Sequence, residues 1–332
     1  MIHAAIVGLG WWGQSLVDSV QESTALQFTA AHTRNPGPVA DYCARRGLRW
    51  VPTLDTILND PQIDAVVYAT PHSLHAEQIR RAAAAGKSVF VEKPFTLSLA
   101  DARSALAAAE QAGIVVAVGF NRRFHPSMAM MRDAVRQNRL GTLVTLSAEQ
   151  TALHGLALTA DAWRAQPAEA PGGAMTAIGV HLVDGMIDLA GPVDRVFCRV
   201  SRRAARYADD TTDILLSFAN GASGHIFCST AATPHYRMAV YGTAGFAEII
   251  GHSMATFRLI HPVPGDHRRP GSPATTETPG FNMLTAELEA FARAIETRVP
   301  FPTPLAEIAH GVAVFEAILR SAASGQEEIV SG

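Results

Sequence analysis

Three short stretches carry residue types that can do chemistry. Glu92-Lys93-Pro94 closes an apolar run, Ser88–Glu92, that reads as a strand. A Lys directly before Pro is held in extended backbone geometry. An ammonium at such a strand end can hydrogen-bond a substrate hydroxyl and lower the cost of a developing alkoxide. Taken alone, Lys93 fits a surface charge equally well. Gly8-Leu9-Gly10-Trp11-Trp12-Gly13 is a GxGxxG cluster between a strand, Ala4–Gly8, and a helix. Its first Gly permits the tight turn, its second lets the backbone approach a pyrophosphate, and its third lets helix and strand pack closely. The helix N-terminus adds N–H groups and the positive end of a dipole. Thr70-Pro71-His72-Ser73-Leu74-His75 ends another strand and starts another helix. The carboxyl ends of parallel strands are where open α/β sheets hold ligands.

The residue that reads the ribose of a dinucleotide normally lies about 20 residues beyond the glycines and is acidic. Here the segment is His32-Thr33-Arg34-Asn35, with no carboxylate. A carboxylate would repel a 2′-phosphate, whereas Arg34 beside the Thr33 hydroxyl can pair with it. This favours NADP over NAD, although NAD binding without an acidic clamp, with Arg34 a solvated charge, stays open.

The elements that must position these residues alternate strand and helix over the first 120 residues. Strands are expected at Ala4–Gly8, Leu26–His32, Asp64–Thr70, Ser88–Glu92 and Val115–Val118, with helices such as Leu74–Ala85 and Leu99–Ala112 between them. Continuous apolar strands followed by helices imply a buried parallel sheet, doubly wound. After Asn121 the grammar changes. A helix at 127–137 leads into a strand at 142–149. Gly172-Gly173 precedes a helix over 174–189, and strand follows strand from Val193 to about Leu259. That pattern predicts an α+β domain with an open, mostly antiparallel sheet. Pro262–Pro279 reads as a loop, and two helices, about 282–296 and 304–324, close the chain. The expected division is a cofactor domain over 1–120 and a substrate and oligomerisation domain over 121–332, with the last helix returning to the first domain.

Taken together, GxGxxG, Thr70-Pro71-x-x-Leu74-His75, Glu92-Lys93-Pro94 and Gly119-Phe120-Asn121-Arg122-Arg123-Phe124-His125-Pro126 resemble the glucose–fructose oxidoreductase/inositol dehydrogenase/MocA family. Trp163-Arg164, Gly172-Gly173, Gly179-x-His181-x-x-Asp184 and Gly242-Thr243-Ala244-Gly245 extend the likeness over nearly the whole chain. The resemblance implies a Rossmann domain that binds NAD or NADP, and a second domain whose outer sheet face joins subunits into a dimer or tetramer. It implies oxidation or reduction of a secondary alcohol or carbonyl on a sugar, cyclitol, dihydrodiol or related molecule. It assigns catalysis to Lys93 and His181. The expected cofactor contacts are Gly8, Gly10, Trp11, Trp12, Gly13, Thr33, Arg34, Thr70, Pro71, His75, Glu92, Lys93 and Asn121. Lys93, Arg122, Arg123, Trp163, Arg164 and His181 are expected around the substrate.

One departure stands out. Many family members carry Asp-x-x-x-His at this point, but the chain has Ala177-Ile178-Gly179-Val180-His181. A carboxylate is therefore missing from the usual constellation. On a helix, Asp184 lies one turn beyond His181 and either orients it or makes a structural hydrogen bond between domains. Two alternatives to a simple dehydrogenase follow. One is an enzyme that holds NAD tightly as a transient hydride store, as in glycoside cleavage. The other is a cofactor-sensing binding protein that has lost catalysis.

The composition sets the outer limits. The 332 residues suggest two domains. Hydrophobic residues reach 48 % and charged residues 17 %, which excludes a disordered chain and predicts large buried surfaces. With 27 basic and 30 acidic residues the net charge is −3, so no basic excess suits nucleic acid. The longest run without Asp, Glu, Lys or Arg, from Ile214 to Tyr236, contains Asn220-Gly221 and Pro234 and reads as a hairpin, not a membrane span. Cys43, Cys198 and Cys228 form no CxxC pair, which argues against both a disulfide framework and a metal site. With no signal-peptide pattern at the start, a reducing cytoplasm is expected.

Overall fold

The computed structural model describes residues 1–331. The chain divides into two compact units, one of residues 1–121 with 282–312, the other of residues 122–281 with 313 onward.

The first unit is built on a six-stranded parallel sheet. Its strands are β1 (Ile2–Val7), β2 (Leu26–His32), β3 (Arg49–Trp50), β4 (Ala65–Tyr68), β5 (Ser88–Val91) and β6 (Val116–Val118). The order is β3-β2-β1-β4-β5-β6, every pair is parallel, and the arrangement is the Rossmann one. Every residue of β4 and β5 is buried, as a sheet covered on both faces requires. Five of the six strands were legible as apolar runs. The short edge strand β3, Arg-Trp, has no apolar pattern and pairs through only two residues, Ala30 with Arg49 and Ala31 with Trp50. The helices are α1 (Trp11–Ser19), α2 (Ala40–Arg46), α3 (Leu54–Leu58), α4 (His75–Ala84) and α5 (Leu99–Ala112). Gly113 ends α5 in the left-handed conformation, at φ +65°, a cost that glycine avoids.

The second unit opens with α6 (Pro126–Arg136) and β7 (Leu143–Thr151), and α7 (Val180–Ala190) follows. β8 (Val193–Ser201), β9 (Thr211–Phe218), β10 (Ser223–Ser229), β11 (His235–Gly242), β12 (Gly245–Ile250) and β13 (Thr256–Ile260) come in succession. Pro262–Pro279 is not the plain loop expected. It carries a small ribbon, β14 (Pro262–Val263) with β15 (Asp266–Pro270), and an edge strand, β16 (Ala274–Glu277). The exposed Thr and Glu residues of β16 pair with β13 through the backbone and through the Thr256 hydroxyl, which donates to the Glu277 carboxylate at 2.9 Å, so no apolar alternation announced it. With β17 (Glu328–Ile329), the sheet runs β16-β13-β12-β11-β7-β10-β9-β8-β17, antiparallel except between β7 and β10.

Burial alternates along β9 and β10, so one face of this sheet is core. The other face leaves Phe197, Leu215 and Phe227 39 %, 49 % and 36 % exposed, and Phe197 pairs directly with Leu215 across β8 and β9. The helix expected over 174–189 is divided. Residues Met175–Gly179 form a π-turn before α7, so Ala177 lies outside the α-helix that carries His181 and Asp184.

Two further helices, α8 (Met283–Thr297) and α9 (Leu305–Ser324), complete the chain. α8 belongs to the first unit: Phe291 meets Phe90 edge to face at 5.9 Å, and the Thr285 hydroxyl donates to the Ser19 carbonyl at 2.5 Å. Among the described residues no helix is long and apolar enough to cross a membrane.

Candidate active site

In the first unit the glycine cluster occupies the turn from β1 to α1. Gly8 has φ +97°, and a Cβ there would fall on the Ala69 carbonyl; a Cβ on Gly13 would fall on the carbonyl of Gly8. These two glycines are required by the protein's own packing. Gly10 is different. Its backbone is ordinary extended chain, φ −66° and ψ −179°, and a Cβ there would meet nothing within 4 Å. Open space above a glycine that the fold does not demand is what a closely approaching pyrophosphate needs. α1 has no side-chain cap and no acidic residue in its first turn, which leaves its leading N–H groups available to an anion. Two buried polar atoms, Trp12 Nε1 and Asn121 Oδ1, have no hydrogen-bond partner among the described residues. The residues present therefore fit a dinucleotide. Trp11, 66 % exposed, stands edge to face with Trp12 at 5.1 Å. Thr33 and the exposed Arg34 follow directly on the end of β2.

The Thr70–His75 turn is tied down from inside. The Thr70 hydroxyl donates to Gln78 Oε1 at 2.6 Å. His75 is fully buried, with Nδ1 3.0 Å from the Pro94 carbonyl and Nε2 3.2 Å from that of Thr70. Its ring links the turn after β4 to the turn after β5. Lys93 lies in that second turn, part-exposed, and the Lys93–Pro94 peptide is cis. Its backbone N–H donates to the buried Glu92 carboxylate at 3.3 Å.

In the second unit, the Arg123 guanidinium grips Asp184 through Nε at 2.8 Å and Nη2 at 2.6 Å, and its Nη1 is 3.6 Å from Asp188. Arg132 reaches Asp188 at 2.7 Å. A buried guanidinium requires carboxylate partners, and this network supplies them. Arg122 lies over the Tyr236 ring at 5.1 Å and donates to Gln150 Oε1. Burial pulls the Arg122 pKa down to about 10, which leaves it charged at neutral pH. Arg164 stacks on Trp163 at 4.1 Å.

His181 is buried in the first turn of α7. Gly172 and Gly173, just before the π-turn, have φ +70° and +47°. A Cβ on Gly173 would strike the Asp209 carbonyl, so the chain passes too close to the neighbouring loop for a side chain. That loop is held by Asp210, which accepts backbone N–H groups from Arg203, Ala204 and Ala205 at 3.0, 2.7 and 2.6 Å. Burial works to raise the Asp210 pKa, but these bonds outweigh it and hold it below the usual carboxylate value.

Sequence reasoning missed Asp188, Arg132, Gln150, Tyr236 and Glu287. Only Glu287 left a legible signal: a charge on the apolar stripe of α8, one turn from Met283 and from Phe291.

The family model described as "Oxidoreductase family, NAD-binding Rossmann fold" matches residues 2–120, and the GFO/IDH/MocA C-terminal domain matches residues 128–248. The chain belongs to the GFO/IDH/MocA family. It is an NAD(P)-dependent oxidoreductase. Among its relatives, the rhizopine catabolism protein MocA of Rhizobium meliloti is 28 % identical over 306 residues, 89 % of this chain and 87 % of that protein. The 1,5-anhydro-D-fructose reductase of Ensifer adhaerens is 28 % identical over 308 residues, 88 % of each. Among solved structures, levoglucosan dehydrogenase in complex with NADH superposes with a TM-score of 0.90 at 22 % identity, covering 99 % of both chains. At that identity the superposition establishes the family fold.

Proposed function

We propose that the enzyme is an NADP-preferring dehydrogenase or reductase of a secondary alcohol or carbonyl, with Lys93 and His181 as its acid–base pair. The observation that carries the reading is Lys93 at the carboxyl end of β5, in the turn that His75 ties to the Thr70 turn, in a sheet of Rossmann order. Ligands of such sheets lie at that end. Gly8, Gly10, Gly13, the start of α1, Thr70, Pro71 and Asn121 would hold the dinucleotide, which supplies hydride transfer when bound. The Lys93 ammonium donates a hydrogen bond to the reacting oxygen, and His181 accepts the hydroxyl proton in the oxidation direction. Arg34 supports the NADP preference by its charge and its place after β2.

Arg122, Trp163 and Arg164 are assigned to the substrate. Arg123 is assigned instead to holding α7 through Asp184, so Asp184 takes the structural role. The relatives' names, an anhydro-sugar reductase, trans-1,2-dihydrobenzene-1,2-diol dehydrogenases and a scyllo-inositol 2-dehydrogenase, support a polyhydroxylated ring or dihydrodiol as substrate class. Residues 1–120, joined by 282–312, are proposed as the cofactor domain, and the remainder of 121–332 as the substrate domain. The apolar outer face around Phe197, Leu215 and Phe227 supports a homo-oligomer through the second sheet. Three free, buried cysteines support a cytoplasmic setting.

A screen of anhydrosugars, cyclitols, dihydrodiols and aromatic semialdehydes with each cofactor, followed by nicotinamide absorbance, tests this reading. Net NADP-linked turnover supports it. Product formed without net absorbance change favours the transient hydride store, and cofactor binding without any turnover favours the sensing protein.

A further inference from the structure

Glu287 has no place in the chemistry described so far, yet its surroundings are unusual for a carboxylate. It lies on α8 in the first unit and is completely buried. Neither of its carboxyl oxygens has a hydrogen-bond partner among the described residues. A buried carboxylate without a cation or a donor costs several kcal/mol, and the ordinary escape is to keep the proton. Phe291, one turn beyond Glu287 on the same face of α8, meets Phe90 edge to face at 5.9 Å, and Glu92 follows Phe90 by two residues on the same face of β5, so α8 brings Glu287 alongside a second buried carboxyl, the residue before Lys93. Burial first, and then the charge of Glu92, push the Glu287 carboxyl well above the usual carboxylate value.

The Glu92 side chain is closely surrounded. Glu92 accepts the Lys93 backbone N–H at 3.3 Å, and a Cβ on Gly119, at the end of β6, would come 2.9 Å from its Oε1. Glycine at 119 therefore makes room for this carboxylate between the ends of β5 and β6. Two buried carboxyls in one electrostatic field do not both ionise, because like charges in a poorly solvated site repel strongly.

We propose that Glu287 is a positioning residue for Lys93: a neutral acid on α8 that offers its proton toward the Glu92 carboxylate and so steadies the turn carrying the Lys93 ammonium. The proposal rests on the assignment of Lys93 to catalysis. Glu287 touches neither substrate nor cofactor in this account and acts through Glu92. The arrangement also explains a polar residue on a stripe otherwise formed by Leu288, Phe291 and their neighbours.

The test compares Glu287→Gln and Glu287→Leu in the full-length enzyme with its cofactor, using the fastest substrate of the screen above. Gln keeps the size and an N–H donor of the neutral acid; Leu fills the buried site but donates nothing. Glu287→Gln is expected to keep kcat within about threefold, and Glu287→Leu to lose roughly tenfold to hundredfold in kcat, the scale of a small misplacement at a reacting centre. KM and melting temperature are expected to stay close to wild type, or the melting temperature to rise in the Leu variant. Independently of activity, infrared spectra at neutral pH are expected to show a protonated-carboxyl carbonyl band in the wild type that disappears in Glu287→Gln.

Absence of that band, wild-type kcat in Glu287→Leu, or equal losses in both variants overturns the proposal. If the Leu variant does not fold, the band and the Gln variant decide. Failure of the Lys93 assignment is distinguishable, because it shows as turnover surviving Lys93→Met while the infrared band remains.

Discussion

Arg123 and Asp184 form a forked ion pair, 2.8 and 2.6 Å between partners, with side chains only 4 % and 7 % exposed. At that burial, removing one partner takes away the other's principal counter-charge, and Arg123 then keeps Asp188 only at 3.6 Å. Arg123→Met or Asp184→Leu is expected to cost about 3–5 kcal/mol of stability, read as a drop in the denaturant midpoint. The double variant is expected to recover much of the loss, because no lone charge remains. Equal midpoints for wild type and the single variants would show that the pair contributes nothing.

Two glycines of the cradle, Gly10 and Gly13, are predicted to fail in different ways. Gly10→Ala meets no atom and keeps an allowed backbone, so the fold stands; cofactor affinity falls by about tenfold or more, roughly 1.4 kcal/mol. Gly13→Ala strikes the Gly8 carbonyl and is expected to lower stability by about 1–3 kcal/mol. Titration calorimetry with NADPH, beside thermal melts, separates the two. Tight cofactor binding by Gly10→Ala would remove the pyrophosphate from that position.

Arg34 is expected to act on one cofactor only. Arg34→Ala should weaken NADPH binding by about tenfold to hundredfold, the worth of a charge-assisted hydrogen bond, and leave NADH binding nearly unchanged. Equal losses for both cofactors, or none, would contradict a 2′-phosphate contact.

His125 caps α6 by accepting the Ser127 N–H at its Nδ1, 3.1 Å away, which only a neutral ring can do. Burial lowers its pKa below the ordinary 6.5. A depressed base binds its proton less well folded than unfolded, so the cap's contribution is present above about pH 6.5 and is lost as pH falls below it. His125→Asn keeps a capping oxygen that cannot titrate. The stability difference between about pH 7.5 and about pH 5, measured by urea unfolding, should therefore be smaller in the variant than in the wild type. An unchanged difference would place the titration elsewhere.

What the sequence made legible was local. Gly8, Gly10 and Gly13 announce themselves because turn, helix start and close packing all fall within six residues. The strands of the first sheet announce themselves because both faces are buried and their apolar runs are continuous. Arg123 was not legible: its partner Asp184 lies 61 residues away, so the same Arg reads as a substrate clamp until the fold pairs it. β16 was hidden because backbone pairing with β13 needs no apolar pattern. The π-turn at Met175–Gly179 shifts the helical register by one residue without any proline to mark it. Glu287 was visible as an odd charge on an apolar stripe, but its neighbour Glu92 comes from a distant part of the chain.

The central claim is that Lys93 polarises the reacting oxygen and does not simply hold cofactor. Lys93→Met, which keeps a long unbranched stem without the ammonium, tests it most directly through kcat and NADPH affinity measured on the same preparation. The account predicts a kcat loss of at least about a hundredfold, the low end for acid–base assistance, with NADPH affinity within a few fold of wild type. Turnover that survives the substitution unchanged would contradict it.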